Sequence, residues 1–386
     1  MLPDEVLLEI FDFFEAMEED EGDESSKMEA WQALVHVCRR WRSVVFGSPR
    51  RLKLKLVCTT KTRAKGTLDV WPSLPLVIEE YNCQTKRVDN IVALLKCSDR
   101  INQINLWGVR FQNISEAMEV RFPELTDLVL HSVDEMGPVP LSDSFLGGSA
   151  PRLRSLILPN IPFPGLPKLL SSTTHLTNLY LDRIPHSGYI SPETMVACLS
   201  QLTNLDRLSL EFESPQSHPD GESRRPPPST RTVLPALTRF WFKGVCEYLE
   251  DLVARIDAPQ LNSFESTFFN DIVFDTPQLT QFISHTPTLE AFVNASVVLW
   301  DHHASIKLFS KTSDDGDLDV GISCGELDWQ LSFLEQVCTS FLPPISALED
   351  FYITNRRSLR NCGDDIDNSS WLELLHLFAT VKNLPI

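Results

Sequence analysis

Residues 125–133 read LTDLVLHSV, with leucines at the first, fourth and sixth positions of the stretch. Successive side chains of a β-strand point to opposite faces, so the fourth and sixth residues share one face and their neighbours share the other. The same spacing of apolar residues recurs from about residue 100 onward. The copies begin at Ile101, Leu125, Leu153, Leu176, Leu205, Leu237, Leu261, Leu289 and Leu348. Each copy predicts one short strand with one apolar face.

The copies return at a nearly regular interval. Their first residues lie 24, 28, 23, 29, 32, 24, 28 and 59 residues apart, and the last interval has room for two copies. We therefore predict a further copy within residues 305–335, where the sequence is typical of a hairpin that turns at Asp315 and Gly316. Segments with helical character separate the strands, at residues 113–123, 191–204, 245–256, 276–288 and 329–341.

A strand and a helix in each repeat of about 20–29 residues are the signature of leucine-rich repeats. A single copy cannot bury its apolar side chains, whereas stacked copies bury them in a continuous core. We therefore predict an α/β fold in which residues 100–386 form an irregular leucine-rich-repeat solenoid, with parallel strands and with helices on the outer face. Residues 213–235, rich in Pro and Ser, predict a flexible loop inside one repeat. A generic α/β domain with coincidental leucine spacing is the alternative.

The N-terminal residues contain two amphipathic segments separated by an acidic stretch. Residues 4–14 carry apolar side chains at helical spacing. The acidic residues 18–27 include no apolar side chain and predict a disordered insertion. A second helix is predicted from Glu29 to about Phe46, and its apolar face consists of Trp31, Leu34, Val35, Cys38 and Trp41. Two interpretations are open, since these segments form either a small helical core or a surface that binds another protein.

The segments LPDEVLLEIFDFF (residues 2–14) and LVHVCRRWRSVVF (residues 34–46) resemble the F-box. The pattern of that family is Leu-Pro, a helix with spaced apolar residues, and then Val-Cys-x-x-Trp. The acidic stretch makes the present match longer than a usual F-box. Residues 68–81 and 100–109 resemble segments of the expanded F-box family of mushroom-forming (basidiomycete) fungi, and the leucine repeats are similar to that family too.

The resemblance implies a function and a division of the chain. Residues 1–49 correspond to the F-box, and residues 50–99 to a connecting segment that caps the repeats. F-box proteins bind the Skp adaptor, and through it the cullin, of SCF (Skp–cullin–F-box) ubiquitin ligases, while their C-terminal domain captures the protein substrate. The expected Skp interface is Leu2, Pro3, Val6, Ile10, Phe11, Val37, Cys38 and Trp41.

Two alternatives to this interface stay open. In the first, Ile10, Leu34 and Trp41 are core residues of a plain helical hairpin. In the second, the F-box has decayed, and the chain is a leucine-rich-repeat scaffold that recruits no ligase.

A substrate is expected on the face of the strands that the leucines leave free. Residues on either side of the last leucine of a copy project there, and exposed aromatic side chains suit a binding surface. Trp107 and Trp241 are alternatively covered by neighbouring loops. The candidate substrate face consists of Trp107, Val129, His131, Tyr180, Asp182, Trp241, Lys243 and Tyr352.

Composition narrows the class of protein. The chain has 386 residues, a hydrophobic fraction of 42% and a formal net charge of −19. Such an acidic surface repels nucleic acid, and the apolar runs are far shorter than the roughly 20 residues of a membrane span. We therefore expect neither a nucleic-acid nor a membrane partner. Nine cysteines without a CxxC pair predict reduced thiols, and hence the cytoplasm or the nucleus.

One basic stretch departs from this acidic character. Residues 48–65 predict a half-buried strand in which Leu52, Leu54 and Leu56 face inward and the lysines face solvent. A nuclear-localisation or anion-binding patch is the alternative.

The motifs GxxxxGK[ST], GxGxxG, GxSxG and HExxH are absent from the sequence. His302 and His303 have no helix-spaced partner that completes a metal site. We therefore expect a protein without catalytic residues, metal or cofactor, and a ligase whose chemistry resides in other subunits. A hydrolase or sensor with a ligand pocket in the repeats is the alternative.

Overall fold

A computed structural model describes residues 2–19, 30–49, 51–71, 73–81, 88–132, 139–217, 230–269, 276–289, 292–310, 317–340, 348–357, 368–378, 381 and 383. Its α-helices are α1 (Asp4–Glu19), α2 (Ala30–Val37), α3 (Arg39–Gly47), α4 (Ala64–Val70), α5 (Val88–Leu95), α6 (Leu166–Leu170), α7 (Pro192–Leu199), α8 (Cys246–Val253), α9 (Pro277–Ser284), α10 (Leu327–Ser340) and α11 (Asn368–Leu377).

The strands alternate with these helices along most of the chain. They are β1 (Leu56–Cys58), β2 (Leu76–Glu80), β3 (Ile101–Val109), β4 (Asp127–Ser132), β5 (Ser155–Ile157), β6 (Asn178–Ile184), β7 (Arg207–Phe212), β8 (Thr232–Val233), β9 (Arg239–Gly244), β10 (Ile256–Asp257), β11 (Ser263–Phe269), β12 (Asn294–Trp300), β13 (His303–Phe309), β14 (Asp317–Ser323) and β15 (Asp350–Asn355).

Within the described residues, thirteen strands form one sheet in the order β1, β2, β3, β4, β5, β6, β7, β9, β11, β14, β13, β12, β15. Neighbouring strands are parallel except on both sides of β13, which runs antiparallel to β12 and β14. The strands β8 and β10 form a separate parallel pair. The α/β class is therefore confirmed as a large, mostly parallel sheet with helices, and the prediction of uniformly parallel strands is corrected at β13.

The apolar residues of the repeats form a continuous row across the sheet, as their spacing predicted. We call this row the leucine ladder, and its members are Leu128, Leu156, Leu179, Leu208, Phe240 and Phe264. All six side chains are fully buried. Helices pack on this side of the sheet, where the ring centroid of Phe282 in α9 lies 6.0 Å from that of Phe264. The residues between ladder positions face the other side, which we call the open sheet face.

The sheet begins before the first predicted copy. Within residues 50–99, β1 pairs with β2, and β2 pairs with β3, so this segment adds two strands to the edge of the sheet. Leu52, Leu54 and Leu56 are buried as their alternation with lysine predicted, but the strand starts only at Leu56. The chain turns before that point, because Lys53 adopts a left-handed φ of +44°.

The second predicted helix is broken at Cys38. This residue is extended (φ −159°, ψ 169°), and its Sγ accepts a hydrogen bond from the backbone N–H of Trp41 at 3.5 Å. Cys38 therefore caps the N-terminus of α3, and the described part of the N-terminal segment forms three helices. The helix α1 continues to Glu19, and residues 20–29, which hold most of the predicted acidic insertion, lie outside the described residues.

The predicted hairpin is confirmed as the antiparallel pair of β13 and β14, although its turn lies outside the described residues. Here the order of strands departs from the order of the chain, because β14 inserts next to β11. One predicted copy is also shifted by three residues. Ala295 of β12, and not Phe292, pairs with the ladder-position residue Phe351 of β15.

Helices are confirmed in four of the five predicted segments, as α7, α8, α9 and α10. The segment 113–123 instead contains short 3-10 turns at Phe111–Asn113 and Glu116–Met118. Residues 218–229 of the predicted loop lie outside the described residues. In the part of the chain that is described, no helix combines the length and the apolar character that crossing a membrane requires.

The leucine ladder predicts that alanine substitutions of two adjacent residues of β5 lower the free energy of unfolding by different amounts. Leu156→Ala is expected to lower the free energy of unfolding by about 2–5 kcal/mol, because it leaves a cavity in the core. Ile157→Ala alters the half-buried opposite face and is expected to cost clearly less. Urea unfolding followed by circular dichroism measures both values. Equal losses in the two variants would contradict the burial pattern.

Candidate functional site

The first helix carries apolar side chains on two of its faces. Leu7 and Phe11 point inward and are almost completely buried. Val6, Ile10 and Phe13 follow one another at spacings of four and three residues, so they share another face. They are 40%, 45% and 68% exposed. A helix that needed only one buried face would have polar residues here.

The inner face of this helix packs against the rest of the N-terminal helices. The rings of Phe11 and Trp41 meet edge to face, with centroids 4.9 Å apart. Trp31, which is buried, donates a hydrogen bond from Nε1 to the carbonyl oxygen of Lys55 at 3.0 Å. It also lies edge to face with Trp71, at 5.2 Å between centroids. These contacts attach the helices to the first strands of the sheet, while the outer face of α1 stays in solvent.

Arg40 brings together the beginnings of α1 and α3. Its guanidinium donates a hydrogen bond to the carbonyl oxygen of Leu2 and pairs with Asp4 at 2.6 Å. Val37 and Cys38 immediately precede this first turn of α3, and both are exposed. They therefore lie at the same end of the helical cluster as Leu2.

We call the exposed apolar side chains of these N-terminal helices the terminal apolar patch. Five of the thirteen large hydrophobic residues that are exposed in the described chain belong to it. Because they fall within the first 37 residues, their density is far above that of the rest of the surface. The patch consists of Leu2, Val6, Ile10, Phe13 and Val37.

Some of the residues expected to contact Skp are exposed, and others are buried. Phe11 is fully buried, so its expected place at the interface is corrected to the helical core. Trp41 is partly buried behind Phe11. Phe13 was missed, although its spacing from Ile10 already placed it on the outer face. The exposed members of the expected set are Leu2, Pro3, Val6, Ile10, Val37 and Cys38.

The alternative of a plain helical hairpin required Leu34 and Ile10 to be core residues. Leu34 is a core residue, whereas Ile10 is 45% exposed.

A second surface is the open sheet face, where aromatic rings stack across strands. Tyr180 of β6 and Trp241 of β9 have centroids 5.9 Å apart and planes inclined by 30°. Both are paired in register with Ser209 of the intervening strand β7. The small serine side chain leaves room for the two rings to meet above it, so Trp241 is covered by Tyr180.

A similar pair lies nearer the N-terminal edge of the sheet. Trp107 stacks on His131 at 5.1 Å, and its Nε1 donates a hydrogen bond to Asn105 at 2.7 Å. Arg183 lies 2.9 Å from Nε2 of His131. Burial and the charge of Arg183 lower the pKa of His131. The imidazole is therefore neutral and accepts the hydrogen bond of the guanidinium.

Acidic side chains form a row on the same face. Asp182, Glu211, Glu265 and Asp319 belong to β6, β7, β11 and β14, and burial is the first cause that raises the pKa of each. The pKa of Asp319 reaches about 6, with the neighbouring charge of Glu265 as the second cause. Only Asp182 of this row was predicted from the sequence. Glu211 and Glu265 were missed although alternation beside Leu210 and Phe264 places them on this face, whereas the position of Asp319 depends on the order of strands in the sheet.

The acidic row borders a cavity of about 300 Å³. Its walls come from β7, β9 and β11 and from the beginning of β13. The imidazole of His303 fits at the cavity because Gly321 has no side chain. A Cβ atom at Gly321 would lie 2.6 Å from the imidazole. Residues that line the cavity include Glu211, Trp241, Lys243, Glu265, Thr267 and His303.

The predicted substrate residues therefore lie on one face but in three groups. Trp107, Val129 and His131 lie on β3 and β4, and Tyr352 lies on β15, where it stacks with Phe309 at 6.4 Å. The central group lies on β6 and β9, and it consists of Tyr180, Asp182, Trp241 and Lys243. Only the central group reaches the cavity, through Trp241 and Lys243.

The described residues contain no group of three His, Cys, Asp or Glu side chains placed to hold a metal ion. Their cysteines are free thiols, at Cys38, Cys58, Cys97, Cys198, Cys246, Cys324 and Cys338. Burial raises the pKa of Cys58 and Cys198 to about 11, so both remain protonated at neutral pH.

No protein-family model and no curated protein sequence matches this chain. What the chain can do is therefore inferred from its own two surfaces, the terminal apolar patch and the open sheet face.

The two faces of α1 predict opposite results for neighbouring phenylalanines. Phe11→Ala is expected to lower the free energy of unfolding by about 3–5 kcal/mol, because it empties the helical core. Phe13→Ala removes a side chain that is 68% exposed and is expected to change stability by less than about 0.5 kcal/mol. Thermal and chemical unfolding of both variants test this. A large loss for Phe13→Ala would show that the outer face is covered within the chain.

The raised pKa of Asp319 predicts a pH dependence of stability. Its value rises from an ordinary 3.8 to about 6, so between these pH values the folded chain holds a proton that the unfolded chain has lost. Stability therefore falls as pH rises through this window. Asp319→Asn removes this loss and is expected to raise the free energy of unfolding at pH 7.5 by roughly 2 kcal/mol.

Urea unfolding of wild type and Asp319→Asn at several pH values provides the measurement. The difference between the two proteins should shrink as the pH approaches 4. A difference that stays constant from pH 4 to 7.5 contradicts the assignment.

Proposed function

We propose that this chain is a non-catalytic substrate receptor of an SCF ubiquitin ligase. It binds the Skp adaptor through the terminal apolar patch, and the adaptor connects it to the cullin. Residues 1–49 act as the F-box, and residues 100–386 act as a leucine-rich-repeat solenoid that presents the open sheet face to a protein substrate. The chain works in the cytoplasm or the nucleus.

The observation that carries the proposal is the outer face of α1. Val6, Ile10 and Phe13 remain exposed although Leu7 and Phe11 already supply the helix with a buried face. Contiguous exposed apolar side chains mark interaction sites in soluble proteins. A partner that covers this face removes apolar surface from water at about 25 cal/mol per Å².

A second support comes from the meeting of the two halves of the F-box pattern. Leu2 and Pro3 belong to the first half, and Val37 and Cys38 belong to the second. The guanidinium of Arg40 holds the two halves at one end of the helical cluster. Residues that are distant in the sequence thus lie at one end of the helical cluster, where a single adaptor can contact them.

The open sheet face supports the substrate side of the proposal. Aromatic and charged side chains from many strands lie there on a rigid sheet, and binding residues work best on rigid elements. In this function the chain supplies recognition, and the transfer of ubiquitin takes place on other subunits.

A binding assay with purified Skp adaptor tests the proposed interface. The variant Val6→Asp/Ile10→Asp places two charges in the patch and is expected to weaken binding at least tenfold, or by about 1.4 kcal/mol. The control Val120→Asp/Leu372→Asp makes the same chemical change at two exposed apolar residues elsewhere and should bind within twofold of wild type. Circular dichroism melting shows whether each variant is folded.

The alternative scaffold function predicts another result. If the folded wild-type chain does not bind the Skp adaptor, the ubiquitin-ligase function is wrong and a repeat scaffold remains. Equal weakening by the patch variant and the control variant would place the contact outside the terminal apolar patch.

A further inference from the structure

The cavity on the open sheet face indicates which kind of side chain a protein substrate must place in it. It lies between β7, β9 and β11, at the point where the stacked rings of Tyr180 and Trp241 meet the acidic row. Alternation along the predicted strand placed Trp241 and Lys243 on the substrate face, but it predicted neither the cavity nor the two glutamates that line it.

We propose that this cavity binds the cationic side chain of a lysine or arginine in an extended segment of the substrate protein, with Glu211 and Glu265 as its carboxylate partners. The inference rests on the proposed function, because the segment belongs to the protein that the receptor captures.

Charge balance around the cavity favours a cation. The carboxylates in it or beside it are Asp182, Glu211, Glu265, Asp317 and Asp319. Two nearby basic side chains are already engaged, since Lys307 pairs with Asp317 and Arg183 donates to His131. Lys243 faces the cavity but forms no direct ion pair with a described residue. The carboxylates are therefore incompletely neutralised.

The two glutamates are poorly solvated in the free protein. Burial is the first cause that raises the pKa of Glu211 and of Glu265, and nearby carboxylates add to the rise, which the charges of Lys243 and Lys307 offset only in part. An entering ammonium or guanidinium group replaces the missing solvation and offsets the repulsion. Trp241 is preset for this role, because Tyr180 stacks on it and because it donates a hydrogen bond to Glu265. Its ring offers an apolar wall to the methylene groups of a long basic side chain.

An anion does not fit the same cavity. Burial and the charge of Lys243 lower the pKa of His303, so the imidazole is neutral at neutral pH. Lys243 is the one lysine or arginine among the described residues that line the cavity, and it faces two carboxylates.

The register of the strands sets how the two glutamates approach the cavity. Glu211 of β7 pairs with Lys243 of β9, whereas Glu265 of β11 pairs with Trp241, two residues earlier on β9. The two carboxylates therefore line the cavity diagonally, from opposite sides of β9. One cationic side chain that enters the cavity lies between them and can contact both.

Fluorescence anisotropy with full-length protein tests the inference. The probe is a labelled Gly-Ser-Gly-Arg-Gly-Ser peptide, compared with the same peptide in which citrulline replaces the arginine. Citrulline keeps the shape of arginine and removes its charge. The arginine peptide is expected to bind, and the citrulline peptide at least tenfold more weakly. Because the peptide is changed and the protein is not, this comparison is independent of variant folding.

Matched variants locate the binding. Glu211→Gln/Glu265→Gln is expected to lower affinity for the arginine peptide at least tenfold. The control Glu116→Gln/Glu247→Gln makes the same charge change at two exposed residues and should stay within twofold of wild type. Equal weakening by both pairs means non-specific attraction to an acidic protein and overturns the inference. So does a wild type that binds neither peptide up to about 1 mM.

A competition experiment tests whether the source of the cation is a protein segment. Free spermine carries amines without a peptide backbone and should compete at least tenfold more weakly than the unlabelled arginine peptide. Competition at equal concentration overturns the assignment to a protein segment and indicates a site for small polyamines.

The Skp assay separates this inference from the proposed function. Glu211→Gln/Glu265→Gln should bind the Skp adaptor like wild type, since the terminal apolar patch is unchanged. If Skp binds and the arginine peptide does not, the cationic segment is wrong and the receptor function stands. If the peptide binds and Skp does not, the ligase function is wrong and the cavity remains a cation site.

Discussion

The in-register pairing of the leucine ladder is the constraint on which the rest of the structure depends. Leu156 pairs with Leu128 on one side and with Leu179 on the other, and all three are fully buried. Side chains alternate along a strand, so a register that buries these residues sends their neighbours to the opposite face. The open sheet face, with its rings and carboxylates, is the direct consequence of burying the ladder.

The N-terminal helices pack against the first strands of the sheet and contribute no residue to the leucine ladder. Trp31 holds them to the first strands through a hydrogen bond to Lys55 and an edge-to-face contact with Trp71. These contacts use the inner side of the helical cluster and leave the outer face of α1 in water. The two candidate binding surfaces are therefore separate parts of one molecule, so that changes to either can be studied without altering the other.

Antiparallel β13 is the main irregularity of the sheet, and it shapes the central part of the open sheet face. By pairing with β14, it places Lys307 opposite Asp319 and brings His303 above Gly321. The insertion of β14 next to β11 aligns Asp319 with Glu265. Side chains that are 54 residues apart in the sequence thus share one electrostatic environment, and the charge of Glu265 adds to burial in raising the pKa of Asp319.

Local side-chain patterns were sufficient to predict a large part of the secondary structure of this protein and of the faces on which its side chains lie. The spacing of Leu125, Leu128 and Leu130 predicted a strand with one buried face, and the placement of Trp241 and Lys243 on the opposite face followed from alternation alone. In α1, spacing predicted a helix and put Ile10 and Phe13 on one face and Leu7 and Phe11 on another, but it could not tell which face is buried. That choice depends on which face Trp41 covers, and Trp41 is 30 residues away.

Other features arise only when distant segments pair. The shift of the ladder position from Phe292 to Ala295 requires pairing with β15. The cavity beside Glu211 and Glu265 requires β7, β9 and β11 to lie side by side. Periodicity is a local property that a chain carries in its residues, whereas strand order and register are set by contacts between distant residues and exist only in the folded protein.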